Sequence, residues 1–285
     1  MNRNSLKFNA GLLLLAVTLF AVSCKKNDDP KPPTTSSAAE NNAFAEAQYN
    51  DVTTLVDQSS VSGTVMFGAA GTGSGNGTEG SMGPCVTVTV DTTVNPHSIT
   101  IDFGTNNCLC LDGRNRRGKI IATYTGQYRN TGTVINISLD NYYVNDYKVG
   151  GTKKITNQGN NQAGNLVYKV EVNGQVVKPN NGGTYTWIST RYREWKAGAL
   201  TPLNILDDVY GITGNASGVN TDGNDYSIVA TQELVRKMNC RWFESGTLEL
   251  TQTGLPKITL DYGSTGCDAN ATINVLGTTY PVILQ

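Results

Sequence analysis

The sequence predicts an all-β protein: an antiparallel meander closed as a β-sandwich or a barrel-like roll, with one short N-terminal helix. Three observations carry this expectation. From Val86 onward, apolar and polar residues alternate in short runs, as in Val86-Thr-Val88-Thr-Val90-Asp91 and Ile99-Thr-Ile101-Asp-Phe103, and a period of two is the signature of a half-buried strand. The runs are separated by turn dipeptides such as Asn173-Gly174, Asp222-Gly223 and Leu276-Gly277, which suit tight hairpins. The connections are too short to carry the chain back for parallel pairing.

Residues 1–23 read as a secretory signal. Arg3 and Lys7 precede the apolar run Gly11 to Phe20, and Ala21-Val22-Ser23 lead to Cys24. A basic start, a short apolar centre and small residues before a cut site define such a signal. The run is too short for a stable bilayer span. Ala21 to Cys24 resembles a bacterial lipobox, with Ala21 where leucine is usual, and that resemblance implies cleavage before Cys24 and its lipidation. The membrane is then a partner through the N-terminal lipid, and removal of 23 residues leaves 262.

Residues 24–39 form a polar, Pro/Thr/Ser-rich tether that cannot bury enough apolar surface to fold. Lys25-Lys26-Asn27-Asp28-Asp29 resembles the surface-export signal of Bacteroidetes lipoproteins, interrupted by Asn27. It implies an outer-membrane lipoprotein facing the cell exterior, with the periplasmic face as the alternative. Residues 40–59 predict an amphipathic helix. Phe44, Val52, Leu55 and Val56 share a face, and no Gly or Pro intervenes, so the stripe either packs on the β domain as a lid or meets a partner. Residues 60–83 are a Gly-rich linker, with seven glycines between Gly68 and Gly83.

The β domain spans 84–285. After the first hairpin, strands are expected at 119–125, 133–143, 148–156, 166–173, 184–195, 211–216, 226–234, 241–251, 257–262, 271–276 and 278–284. Two hairpin units echo each other: Ile99-Thr-Ile-Asp-Phe-Gly104, followed after three residues by Cys108, and Ile258-Thr-Leu-Asp-Tyr-Gly263, followed after three residues by Cys267. Each also has an upstream cysteine, Cys85 or Cys240. A hairpin returns the chain to its start, which brings such cysteines within disulfide reach. The expected bridges are Cys85–Cys108 and Cys240–Cys267, leaving Cys110 free, with Cys85–Cys110 as the nearest competitor. Cys108-Leu-Cys110 lacks the spacing of a zinc site.

The whole also resembles a group of Bacteroidetes lipoproteins. The residues that carry this are the Phe44-to-Val56 helix after the lipobox, Asp112-Gly-Arg114-x-Arg116-x-Gly118, Asp140-Asn-Tyr-Tyr143, Thr186-Trp187 with Arg191, Arg193 and Trp195, and Asn239-Cys-Arg-Trp242. The resemblance implies secretion, a lipid anchor and an all-β domain, and it brings no activity or catalytic residues.

Chemistry is sparse. With 22 basic and 23 acidic residues, the chain lacks the charge footprint of a nucleic-acid binder. His97 is the single histidine and sits in a turn, so no catalytic residue, cofactor or metal is assigned. Asp102, Asp207, Asp208 and Asp261 are the candidate carboxylates for a glycan-active hydrolase. Asn220 to Asp225 places oxygens like a calcium loop but reads as a hairpin turn. Arg114, Arg116, Arg117 and Lys119 form a basic cluster suited to an anionic headgroup or a solvated loop. Tyr185, Trp187, Arg191, Arg193 and Trp195 fall on one face of a regular strand. They are either the face for a glycan or protein ligand, through stacking and cation–π contact, or core. The expected role is non-enzymatic binding or structure in the cell envelope, with a paired-carboxylate hydrolase as the alternative.

Overall fold

The computed structural model describes residues 36–62, 82–201, 204–264 and 266–284. Cys24, the signal sequence, most of the tether and most of the Gly-rich linker lie outside these. One helix, α1 (Ser36–Ser62), precedes fourteen strands. They are β1 (Thr87–Asp91), β2 (His97–Asp102), β3 (Cys108–Leu109), β4 (Asn115–Tyr124), β5 (Val134–Val144), β6 (Tyr147–Asn160) and β7 (Leu166–Val177). There follow β8 (Thr184–Ala197), β9 (Val209–Val219), β10 (Asp225–Lys237), β11 (Ser245–Gln252), β12 (Ile258–Asp261), β13 (Asn270–Val275) and β14 (Thr278–Ile283).

All fourteen belong to one antiparallel sheet that runs in chain order from β1 to β14, with β3 as a side branch on β4. Consecutive hairpins make this the cheapest topology, since each new strand pairs with the one just laid down. The sheet is not closed, because β1 and β14 are not paired with each other. The predicted all-β class and antiparallel meander are therefore present, on a single open sheet.

The helix lies at the centre rather than on the outside. Ala38, Asn41, Asn42, Ala45, Glu46, Tyr49, Val52, Leu55, Ser59 and Ser60 are all at most 3% exposed. At about 100° per residue those positions span about half of the helix circumference, and the buried Ala39 and Asp51 flank them and widen the arc to about two-thirds, so the sheet curls round α1. The expected lid is thus a core element. Its half-buried residues Ala43, Ala47, Asn50, Thr54 and Gln58 recur every three or four positions and form one stripe. Residues next to β3–β4 and residues from the β10–β11 connection meet along that stripe.

Much of the polar character of α1 is matched by groups from the sheet, although Asn41 Nδ2, Asn42 Nδ2 and Gln48 Oε1 are buried without a hydrogen-bond partner among the described residues. Trp187 Nε1 donates to Asn42 Oδ1 at 2.8 Å, and Lys153 Nζ donates to the Tyr49 carbonyl at 2.7 Å. Arg191 pairs with Glu46 at 2.9 Å, and Arg114 and Arg116 pair with Asp51 at 2.6 and 2.9 Å. Tyr49 stacks on Trp187 with ring centroids 5.4 Å apart and donates its hydroxyl to the Gly150 carbonyl at 2.7 Å. Buried polar groups cost least when so satisfied.

Gly174 makes room for Tyr49, since a Cβ there would lie 2.1 Å from the Tyr49 hydroxyl. Gly174→Ala should therefore cost about 1–3 kcal/mol by overpacking, measured by urea unfolding. Adding Tyr49→Leu should return part of that loss, because it removes the atoms that collide. An unchanged Gly174→Ala would refute this account of how α1 seats.

The two hairpin units have the same construction. Asp102 Oδ1 accepts from the Gly104 N–H, and Asp261 Oδ1 from the Gly263 N–H, both at 2.8 Å. Phe103 and Tyr262 follow these aspartates and are buried. Cys85–Cys108 closes the first unit and Cys240–Cys267 the second, with Cα–Cα distances of 5.9 and 5.5 Å. Cys110 is free and buried, and its Sγ faces the Cys108 carbonyl at 3.6 Å.

Candidate functional site

Tyr185, Trp187, Arg191, Arg193 and Trp195 do share a face of β8, and that face turns inward. Tyr185, Trp187, Arg191 and Trp195 are at most 4% exposed. Trp187 and Arg191 hold α1 through Asn42 and Glu46. The Arg193 guanidinium lies 3.4 Å from the Tyr210 ring centroid, and Trp195 Nε1 donates to Asp208 Oδ1 at 3.2 Å. These side chains grip the helix and one another, so they form core and present no ligand face.

Near the end of α1 the interior holds further ionisable groups. Burial pushes the Asp57 carboxyl up to about 6 against the pull of Arg193 and Lys153. Burial, with Arg193 beside it, pushes the Lys153 ammonium down to about 7, and Asp57 and Glu46 oppose that shift. Asp208 is also raised by burial while accepting from Trp195 and from the Tyr210 hydroxyl. Perturbed groups can mark an active site, but Lys153 holds the Tyr49 carbonyl of α1 and Asp208 accepts from Trp195 and Tyr210.

The other acidic candidates are occupied by local structure. Asp102 pairs with Lys119 at 2.8 Å, Asp207 accepts from Thr201, and Asp261 caps its turn. Asn220 Oδ1 accepts from the backbone N–H groups of Asp222 and Asn224 and closes the β9–β10 hairpin. His97 lies on β2 with its ring 5.3 Å from that of Tyr124.

The basic cluster leads to the candidate site. Arg117 pairs with Asp146 and lies 3.8 Å from the Tyr143 ring centroid, away from the other arginines' partners. Arg114 and Arg116 instead converge on Asp51 and Asp112. Arg116 is fully buried and forms a fork with Asp112, at 2.9 Å from Nη1 and 2.6 Å from Nη2. Burial alone would raise the Asp112 carboxyl, but Arg116 and Arg114 outweigh it and pull it down to about 2.

Beside this knot opens a cleft of about 370 Å³, within the usual range for small-molecule sites. Ala47, Asp51, Thr54 and Gln58 of α1 form its floor. Leu111, Asp112 and Arg114 line one wall; Arg236, Met238, Cys240 and Arg241 line the other, with Leu206 also at the rim. Arg236 Nη1 donates to the Arg241 carbonyl, and the Arg241 guanidinium lies 4.6 Å from the Trp242 ring centroid. Neither arginine has a carboxylate within ion-pair distance among the described residues. Burial, with Arg193, Arg114 and Arg241 nearby, pushes the Arg236 guanidinium down to about 10 despite the favourable field of Asp51. Arg241 is lowered too, by burial and then by Arg114.

Arg236 and Arg241 were not legible as site residues from composition or motif. The signal that points to them is the basic run Arg236-Lys237-x-x-Cys240-Arg241, in which a cysteine pins a short connection between strands. No family model, no curated protein and no solved structure matches this chain.

Proposed function

We propose that this chain is a lipid-anchored protein of the cell envelope, displayed at the outer membrane surface, with a non-enzymatic binding role centred on the arginine cleft. The observation that supports binding is the half-buried Arg236 with the exposed Arg241 beside it, neither with an ion-pair partner among the described residues, on a cleft large enough for a small ligand. A partly buried cation left unpaired costs stability, and such a cost persists where function requires it. Catalysis is less well supported. The two carboxylates nearest the cleft, Asp51 and Asp112, are both held by arginines, and Arg116 and Arg114 keep Asp112 from being the protonated acid that glycoside hydrolysis needs. The fold in this reading is a barrel-like roll, left open along the helix stripe and filled by α1, rather than a two-sheet sandwich.

The anchor is tested at Cys24. Cys24→Ser should abolish incorporation of labelled fatty acid and move the protein out of the membrane fraction. Protease added to intact cells should remove the wild-type protein from the surface. Retained label and membrane fractionation in the variant would sink the anchor, and full protection from protease would place the protein on the periplasmic side.

A further inference from the structure

Four arginines and two carboxylates meet around the cleft. Asp51 and Asp112 are shared between Arg114 and Arg116 at 2.5–2.9 Å, so the positive charges of Arg236 and Arg241 have no counterpart among the described residues. We propose that this excess receives a dianionic phosphoryl group, a phosphate monoester whose oxygens accept from Arg236 and Arg241. The assignment rests on reading the cleft as a binding site and specifies what it binds.

Three features select this class. Two uncompensated guanidinium groups match a double negative charge, and a phosphate monoester carries close to two charges near neutral pH. Guanidinium forks donate paired hydrogen bonds to phosphate oxygens, which a single carboxylate would satisfy only in part. The rim is apolar where the group's organic body would lie, since Leu111 and Leu206 are 63% and 55% exposed beside Met238. The arginines are also held in position. Arg236 donates to the Arg241 carbonyl, Arg241 rests near Trp242, and Cys240 between them is bridged to Cys267. A site positioned in advance loses less entropy on binding.

A phosphate monoester can belong to a soluble metabolite or to a lipid headgroup, and the test separates these. The full chain, extracted in a non-ionic detergent at low salt, is titrated with inorganic phosphate, glycerol phosphate and acetate while thermal unfolding is followed. Vesicles of phosphatidylcholine with and without phosphatidic acid form a parallel arm. Phosphate and glycerol phosphate should raise the melting temperature in a saturable way, as any ligand of the native state does. Arg236→Gln/Arg241→Gln should weaken that response roughly tenfold or more. Without ligand, the variant should melt no lower than wild type, because it loses an unpaired charge. A structural role would lower it instead. Arg241→Gln alone, at an exposed side chain, serves the same purpose if the double variant unfolds, and Lys148→Gln should leave the response intact.

Selective capture by phosphatidic acid vesicles would identify a lipid source, and a response to glycerol phosphate without such capture a soluble one. Either supports the phosphoryl assignment. Acetate as effective as phosphate would overturn the dianion assignment and leave the binding reading standing. No saturable response to any anion, or an equal response in the arginine variants, would overturn both.

Discussion

Arg191→Met should lower the unfolding free energy by about 3–5 kcal/mol. Arg191 and Glu46 are 4% and 3% exposed. Two bonds join them, Nε to Oε1 at 3.2 Å and Nη2 to Oε2 at 2.9 Å. Removing the cation leaves the Glu46 carboxylate inside the curled sheet without its ion-pair partner, and that loss is the main cost. It falls on the contact that fixes α1 to β8, so the loss should be global and cooperative. The double variant Arg191→Met/Glu46→Leu should recover most of the stability, since both charges are then gone. It can even exceed wild type, because Arg191 Nη1 is buried without a hydrogen-bond partner. Urea unfolding of the two single variants and the double variant measures the coupling. An Arg191→Met loss under about 1 kcal/mol would mean that Glu46 finds water or takes a proton at little cost, and would refute the pair as the anchor of the helix.

Replacing Cys240 and Cys267 together by serine should cost roughly 3–4 kcal/mol. The bridge closes a loop of sequence separation 27, and the chain-entropy model assigns about that much to a loop of this size. For a domain of this length the melting temperature should fall on the order of 10 °C. The effect extends beyond stability, because Cys240 lines the arginine cleft and stands next to Arg241. Loss of the bridge frees the β10–β11 connection, so the anion response should weaken along with the melting temperature. Removing Cys85 and Cys108, separated by 23, should cost a similar amount of stability while sparing the response, since neither cysteine lines the cleft. Scanning calorimetry of both variants, with and without phosphate, tests the pair of claims. A response spared equally in both would separate the disulfide from the site.

Much of the fold was legible because it is local. Period-two alternation, hairpin dipeptides and short connections are properties of neighbouring residues, and they suffice to specify an antiparallel meander. The cysteine pairing was legible for the same reason, since each bridge spans one hairpin unit and needs only the return of the chain through a turn. Cys108 and Cys110 could not be ranked by spacing alone; the choice followed from the second unit, which has no counterpart of Cys110.

The centre of the molecule was decided by tertiary structure. Asn41, Asn42, Glu46 and Asp51 look like the solvated side of an amphipathic helix, because polarity ordinarily predicts exposure. Asn42, Glu46 and Asp51 are buried because Trp187 and Arg191 of β8, Arg116 of β4 and Arg114 just before it come to meet them, and no local pattern records partners more than sixty residues away. The β8 stripe shows the same limit. Alternation places Tyr185 to Trp195 on one face but does not say whether that face looks inward or outward, and the curl of the sheet around α1 settled it. The candidate site is the extreme case. Its charge excess exists only because the curl of the sheet brings Arg236 of β10 and Arg241 of the β10–β11 connection beside a pair of aspartates already claimed by Arg114 and Arg116. In the sequence by itself the charges nearly cancel, and only the fold separates those that are paired from those that are not.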